Sequence, residues 1–410
     1  MRFLQVDTVE AAQAKLLEMT KGWVDLVENI PLSQAFERVL TRDIFAKEDL
    51  PHFRRSTVDG YAVLASDTHG AGEAIPSFLK VIGGVEMGKG TNIKVTSGQC
   101  VEMPTGGVVP CGSDAIVMVE YTEELTCEDI SIYKPVAAGD HIIQIGDDIK
   151  KDALLLSKGK KLTAQDIGAL ATMGVAEVEV FARPKIALIS TGDELLHPHN
   201  APLQDGKIRE SNTLSLGALA KKYGYEVVET HVLADDEELI RNTIKNAMER
   251  CHIVAVSGGS SQGKKDMTAD IIGQVATPGV LTHGIAIKPG KPTILGHDEA
   301  SNTILAGLPG HPISCMVVFE ILFGGLMTSW MGVDKPFGIS ASLTQSVPQS
   351  PGKLTFYPCR LEAIDGKYVA EPIFAKSGLI ANLCRANGYF LIDKDTEGIA
   401  KGESVNVYPF

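Results

Sequence analysis

The sequence predicts a multidomain α/β plus β chain. It comprises a central αβ domain with a mostly parallel sheet over 178–331, a split helical domain over 1–44 and 143–177, an inserted β-rich domain over 45–142, and a C-terminal β-barrel-like domain over 332–410. Three observations carry this. From Val178 onward β-branched runs alternate with helical periods, the order that builds a parallel sheet. From Lys80 to Ile132, and again after Met331, short β-type runs are punctuated by Gly, Pro and Asn with no helical period. At 410 residues the chain also exceeds one core, which implies roughly two to four domains.

The 44% hydrophobic and 22% charged fractions are those of a globular chain that folds without staples. A net charge of −13 argues against nucleic-acid affinity, so an anionic ligand needs local lysines. The seven cysteines include no Cys-x-x-Cys pair and no close His spacing for zinc, and read as reduced thiols of a cytoplasmic protein. Polar residues from Gln5 onward do not fit a secretion signal. Ile313 to Met331 is apolar enough for a bilayer, but Glu320 in its middle and the absence of a basic flank make it a core helix, with no membrane partner expected.

In chain order, Asp7 and Glu10 resemble a capping box, and Val9, Ala12, Leu16 and Met19 share a helical face. A short helix is expected over 32–40. The cationic loop Pro51 to Val58 leads through Asp59 and Gly60 into a strand; Asp59 could ligate a metal or accept a proton, or simply form an Asx-turn. Thr105 sits at a Pro/Gly turn, where its hydroxyl could face a ligand or close an ST-turn. The helix over 161–171 has Thr163 as N-cap and Gly174 as stop. If it packs on the first helix, the β-rich piece is an insertion.

In the αβ region, Ile186 to Ile189 forms a buried strand ending in Ser190-Thr191-Gly192-Asp193-Glu194-Leu195. Ser211-Asn212 caps a helix with Leu216, Leu219, Ala220 and Tyr223 on its apolar face. A strand through Val227, Val228 and Val232 opens onto Asp235-Asp236, and the next helix turns Leu239, Ile240, Thr243, Ile244, Ala247 and Met248 inward. The strand over 252–256 stops at Ser257-Gly258-Gly259, and Gly263, Lys264, Lys265 and Asp266 follow. Such glycines let N–H groups point inward around a phosphate, while Asp266 offers an oxygen to Mg²⁺; an ordinary strand-to-helix connection is the plainer alternative. Lys288-Pro289-Gly290-Lys291-Pro292 supplies point charges, and Gly307-Leu308-Pro309-Gly310-His311-Pro312-Ile313-Ser314 leads into the N-terminus of the apolar helix. Carboxylates at 193, 194, 235, 236 and 266 and lysines at 288 and 291 thus fall at carboxyl ends of strands, where open α/β sheets bind ligands. Together they point to a phosphorylated ligand held with a divalent cation. Beyond Met331, prolines punctuate short strands such as 339–343 and 354–357.

These turns, with Val58-Asp59-Gly60-Tyr61-Ala62 and Pro104-Thr105-Gly106-Gly107, resemble in order, and over essentially the whole chain, the motif set of molybdopterin molybdenumtransferase. This is the molybdenum insertase family, to which the carboxy-terminal domain of gephyrin belongs. The resemblance implies that the αβ domain binds molybdopterin, and that molybdate reacts with adenylyl-molybdopterin, with Mg²⁺ present, to release AMP. It implies an elongated homodimer with other molybdenum-cofactor biosynthesis proteins as partners. By motif position Asp59, Thr105, Glu194, Asp266 and one of Asp235 or Asp236 match catalytic positions, with Glu194 and Asp266 at the metal. Ser190, Thr191, Gly192, Ser257, Gly258, Gly259, Lys288, Lys291, Pro309, Pro312 and Ser314 match substrate contacts, and Arg360 and Ser377 match molybdate-binding residues.

The chain departs from the family pattern at His141 to Asp148, which lacks an expected arginine, at Ser260-Ser261-Gln262, and at His311 where Asn is usual. These departures bear on metal choice and activity. Rival readings are a non-catalytic pterin-binding scaffold, a tungstate-inserting paralogue, and a molybdopterin adenylyltransferase, which the segments before 178 and after 331 disfavour.

Overall fold

The structure, a computed structural model, describes residues 6–23, 25–126, 128–197, 199, 203–258, 267–334, 336–374 and 376–410. Helix α1 (Val9–Met19) buries Val9, Ala12, Leu16 and Met19, as its periodicity predicts. Its N-cap is Thr8, which accepts from the Ala11 N–H at 3.2 Å, rather than Asp7. The Asp7 carboxylate is drawn away by Lys15 Nζ at 2.6 Å and the Thr282 hydroxyl. The helix expected over 32–40 is only a 3₁₀ turn, Leu32–Gln34, because Glu37 takes φ 61° and ends the helical path.

The chain folds into two compact units. One comprises Arg42–Lys158 and Thr163–Ala176. Its sheet runs in the order β4-β1-β3-β2-β6-β5, with β1 (Gly60–Val63), β2 (Ser77–Gly84), β3 (Gln99–Met103), β4 (Ala115–Met118), β5 (Thr122–Glu124) and β6 (Asp129–Ile132). Alternate residues feed separate cores, Tyr61, Val63 and Val117 on one face and Ala62, Val101 and Ile116 on the other. Helix α2 (Ala164–Thr172) in this unit starts at a capping box between Thr163 and Asp166, and Gly174 at φ 69° ends it.

The other unit comprises Met1–Thr41, Gly159–Leu162 and Glu177–Phe410. Its centre is built in the order β7 (Lys185–Thr191), α3 (Asn212–Lys222), β8 (Glu226–Leu233), α4 (Glu237–Met248), β9 (Ile253–Ser257), α5 (Met267–Val275), β10 (Pro278–His283), β11 (Ile287–Lys288), β12 (Ile294–Asp298) and β13 (Thr303–Leu308). The sheet order is β8-β7-β9-β13-β12-β10; the first four strands are parallel and the last two antiparallel. Both faces are covered: Ile186, Leu188, Ile253 and Ala255 pack with α1 and α3, while Ala187, Ile189, Val254 and Val256 pack with α4 and α5. Of the α4 residues expected inward, Ile240, Ile244, Ala247 and Met248 are buried, whereas Leu239 is exposed and Thr243 half-buried on the flank of the stripe.

Helix α6 (Pro312–Met331) is buried over most of its length, consistent with a core helix. Its middle, Phe319–Gly324, is a π-helical segment containing Glu320. Beyond it β14 (Ile339–Leu343), β15 (Leu354–Ile364), β16 (Lys367–Pro372), β17 (Gly388–Ile392) and β18 (Ser404–Pro409) close into a five-stranded barrel, β15-β16-β14-β18-β17-β15. Cys359, Ala370, Phe390 and Val407 fill its core. The short strand β11 joins the barrel edge by pairing Ile287 and Lys288 with Leu354 and Thr355.

Candidate functional site

Strand β7 is followed in sequence by β8 on one side and in space by β9 on the other, so the connections after β7 and β9 diverge. That is a topological switch point, the crevice where open α/β sheets hold ligands. Small residues end both strands there. Ser190 and Ser257 are register partners with hydroxyls 3.1 Å apart, and Asn212, at the start of α3, donates to Ser257 Oγ at 3.4 Å and to the Gly310 carbonyl at 2.9 Å. Three loops are thereby stitched together.

Beside this cluster Thr191 is buried and its Oγ1 has no hydrogen-bond partner among the described residues. A buried hydroxyl without a partner is costly, so it marks a place where a ligand or water oxygen belongs. Gly258 explains the space: at φ 112°, a Cβ there would lie 2.2 Å from the Thr191 carbonyl and 2.8 Å from its hydroxyl. Only glycine lets these backbones approach. Gly192 serves a related purpose, since a Cβ on it would meet the Glu194 carboxylate at 2.7 Å; Glu194 folds back over its own turn.

The acidic residues divide. Asp193 Oδ1 accepts the Asp235 N–H at 3.1 Å, tying the β7 and β8 turns together, and Lys207 donates to the Asp193 carbonyl at 2.6 Å. Asp236 caps α4 by accepting from Leu239 N–H at 2.9 Å, which is a structural task. Among the described residues no three metal-ligating side chains gather. Gly259 and Asp266 lie outside the described residues.

The cationic turn reaches the same region through its glycine. A Cβ on Gly290 would touch Val318 at 2.4 Å and lie 3.8 Å from the Ser314 carbonyl, so the turn bearing Lys288 and Lys291 lies against the first turns of α6. Both lysines are exposed, and Lys288 Nζ donates to Ser350 Oγ at 2.6 Å. Pro312 opens α6 at its first turn, Pro309 is buried in the preceding loop, and Ser314 is buried on the helix. Ser377 joins from the barrel: its carbonyl accepts Ile313 N–H at 3.1 Å and its hydroxyl lies 3.2 Å from His311 Nδ1. Arg360, on β15, is exposed and paired with Glu362 at 2.6 Å.

Asp59 and Thr105 belong to the other unit and form one local pair. Asp59 Oδ1 accepts from the Thr105 N–H at 2.7 Å and its hydroxyl at 3.0 Å, because Gly60 pairs with Met103 and sets the two ends side by side. A Cβ on Gly60 would sit 1.9 Å from the Val117 carbonyl, which fixes glycine there.

The sequence reading missed Asn212 as a bridge and Glu210 as a cap. The expected cap, Ser211, makes no capping bond; the buried Glu210 carboxylate instead accepts from the Thr213 N–H and hydroxyl, both at 2.7 Å. An anion at a helix N-terminus is favoured, and Glu two residues ahead of a helix start was the available signal. Burial, and then the Glu210 carboxylate, push the nearby Cys315 thiol well above its ordinary range, so it offers no thiolate.

The fold and the crevice define an α/β protein with a candidate ligand crevice at a sheet switch point and a β barrel at its rim. Family models match along the chain: "MoeA N-terminal region (domain I and II)" over 7–174, "Probable molybdopterin binding domain" over 187–328 and "MoeA C-terminal region (domain IV)" over 340–410. Molybdopterin molybdenumtransferase of Bacillus subtilis is 32% identical, covering 93% of this chain and 89% of its own, and that of Haemophilus influenzae is 31% identical, covering 98% of each. The crystal structure of a molybdopterin biosynthesis moeA protein from Pyrococcus horikoshii OT3 superposes with a TM-score of 0.85 at 31% identity, covering 99% of this chain and 100% of that one. The chain belongs to the molybdopterin molybdenumtransferase (MoeA) family, and is a transferase of molybdenum cofactor biosynthesis.

Proposed function

We propose that this protein transfers molybdenum from molybdate into the dithiolene of adenylyl-molybdopterin and releases AMP. The observation that supports it best is the buried, unpartnered Thr191 hydroxyl beside the Gly258 approach, at the crevice formed by Ser190, Ser257 and Asn212. Such a cradle suits a phosphate, whose oxygens satisfy hydroxyl and N–H donors together. Lys288, Lys291, Ser314, Ser377 and His311 offer the cations and donors that an oxyanion such as molybdate wants, with Arg360 as a further cation.

Mg²⁺ fits the donor set, because it takes one or two carboxylates and completes its shell with substrate phosphates and water. Glu194 and Asp266 would hold it, and it would neutralise charge developing on the phosphoanhydride. Lys207 restrains the Asp193 backbone and so orients the turn that carries Glu194. The protein acts as a cytoplasmic homodimer alongside other proteins of cofactor biosynthesis, with Asp59 and Thr105 contributing a polar pair to the reaction.

The test is reconstitution with adenylyl-molybdopterin and molybdate, or tungstate in parallel, followed by AMP and metal analysis. AMP release matched by molybdenum in the pterin is expected, and Asp266→Ala should bind the pterin yet release little AMP. Tight binding without AMP release would make the protein a scaffold, and metal loss with tungstate alone intact would make it a tungstate enzyme.

A further inference from the structure

A cavity of about 340 Å³ opens in the same unit near the amino ends of β7 and β8, at the opposite end of these strands from the crevice. That volume lies in the range of small-molecule sites. The C-terminal end of α3, Lys221 to Gly224, forms part of its wall, as do Met327, Thr328 and Met331 of α6. Both helices carry crevice residues, Asn212 and Ser314, at their other ends, and the 11 residues of α3 separate the two places by about 16 Å. The cavity is therefore distinct from the crevice.

Its chemistry is uneven. The wall is aromatic and thioether-rich, with Tyr223, Tyr389 and Tyr408 beside Met327 and Met331. Tyr389 is buried and stacked on Phe356 at 4.5 Å, and it supports the half-buried Tyr408 at 5.6 Å; Tyr408 and Met331 therefore present the adaptable apolar surface for a flat molecule. At the lining, Lys222 pairs with the buried Glu320 at 3.1 Å and Lys161 with Glu37 at 3.4 Å. Arg183 and Lys221 also line the cavity and have no acidic partner among the described residues. Asp334 also lines the cavity, so the cations exceed the acids rather than stand alone, and a net positive lining beside tyrosine rings selects an anion that carries an aromatic ring.

We infer that this cavity is a second ligand site, separate from the crevice, that takes a small aromatic anion, a planar ring bearing a carboxylate, sulfonate or phosphate. The anion faces Arg183 and Lys221, and the ring lies against Tyr408 and Met331.

The probe is naphthalene-2-sulfonate, with neutral naphthalene-2-methanol as comparator, titrated calorimetrically into the full-length protein. Wild type should bind one equivalent of the sulfonate at about 1 mM or tighter, and the alcohol more weakly. Arg183→Ala with Lys221→Ala should weaken the sulfonate roughly ten-fold or more, while Lys288→Ala with Lys291→Ala leaves it unchanged. Thr328→Tyr, which fills the cavity from α6, is a second variant that should abolish binding without touching either cation. Equal affinity for sulfonate and alcohol, retained affinity in Arg183→Ala with Lys221→Ala, or loss of binding on removing Lys288 and Lys291 would each overturn the assignment.

Discussion

Replacing Thr191 by Val should make the ligand-free protein more stable and a worse enzyme. The Thr191 hydroxyl is buried at 4% exposure and has no partner among the described residues, so folding strips its water and returns no hydrogen bond from them. Such a group costs about 1–3 kcal/mol. Valine has nearly the same volume, keeps the β-branched shape suited to the end of β7, and removes that penalty, so a gain of about 1 kcal/mol is expected once imperfect packing is allowed for. With a phosphate in place the sign reverses: losing one hydrogen bond to a charged group costs about 1.5–3 kcal/mol, or roughly a 10–100-fold rise in Kd. Trp23 and Trp330 are the two tryptophans and both belong to the unit that contains Thr191, so their fluorescence in a urea titration reads the right transition. Binding of adenylyl-molybdopterin supplies the second measurement. A Thr191→Val protein that is less stable than wild type and binds equally well would show that the hydroxyl is neither frustrated nor used.

Gly258→Ala should lower stability, since φ 112° alone strains a side chain by about 1–3 kcal/mol and the added Cβ would also meet the Thr191 carbonyl at 2.2 Å; the same urea titration reads it, and an unchanged midpoint would refute the close approach. Lys288→Ala with Lys291→Ala should raise the molybdate Kd roughly ten-fold with little change in the unfolding midpoint, checked by equilibrium dialysis with molybdate alone. Burial, and then Lys185, hold the His252 pKa below its ordinary value, and its Nδ1 accepts the Lys185 N–H at 2.9 Å. The folded protein therefore resists protonating it, so stability is lost as pH falls below about 6.5, where the unfolded chain takes up the proton. His252→Asn, which keeps an acceptor but cannot titrate, should flatten that part of the profile.

What could be read from the sequence follows from range. The faces of α1 and the endpoints of α2 depend on neighbours within a few residues, and Val9, Leu16, Thr163 and Gly174 play the expected parts. The turns after β7 and β9 were legible as turns because Gly192 and Gly258 end apolar, β-branched runs, though an ordinary strand-to-helix connection reads the same way. One misreading turns on distant partners, the other on a neighbouring carboxylate whose burial the sequence does not show. Asp7 loses its capping role to a lysine and a threonine brought by tertiary structure, and Ser211 yields to Glu210 because the carboxylate is buried against the helix start. Barrel closure was suggested by short strands, but the pairing of β15 with both β16 and β17 rests on register that spacing does not encode.

One residue links the two ends of this unit. In α6 the one charged residue is Glu320, buried at 6% exposure within the π-helical segment and held by Lys222 and the Tyr223 hydroxyl of the α3 C-terminus. A carboxylate in that position is tolerable only with both partners in place, so rotation or sliding of α6 against α3 would strand a charge away from water. Burial, with Glu320 next to it, raises the Tyr223 pKa far above the ordinary phenol range, which keeps the hydroxyl a donor at every physiological pH. Because the pair fixes the register of the two helices, it also fixes Ser314 and His311 at the other end relative to Asn212, which reaches Gly310 from α3. The polar anchor far from the crevice and the hydrogen bonds within it are thus two ends of one constraint on the same pair of helices.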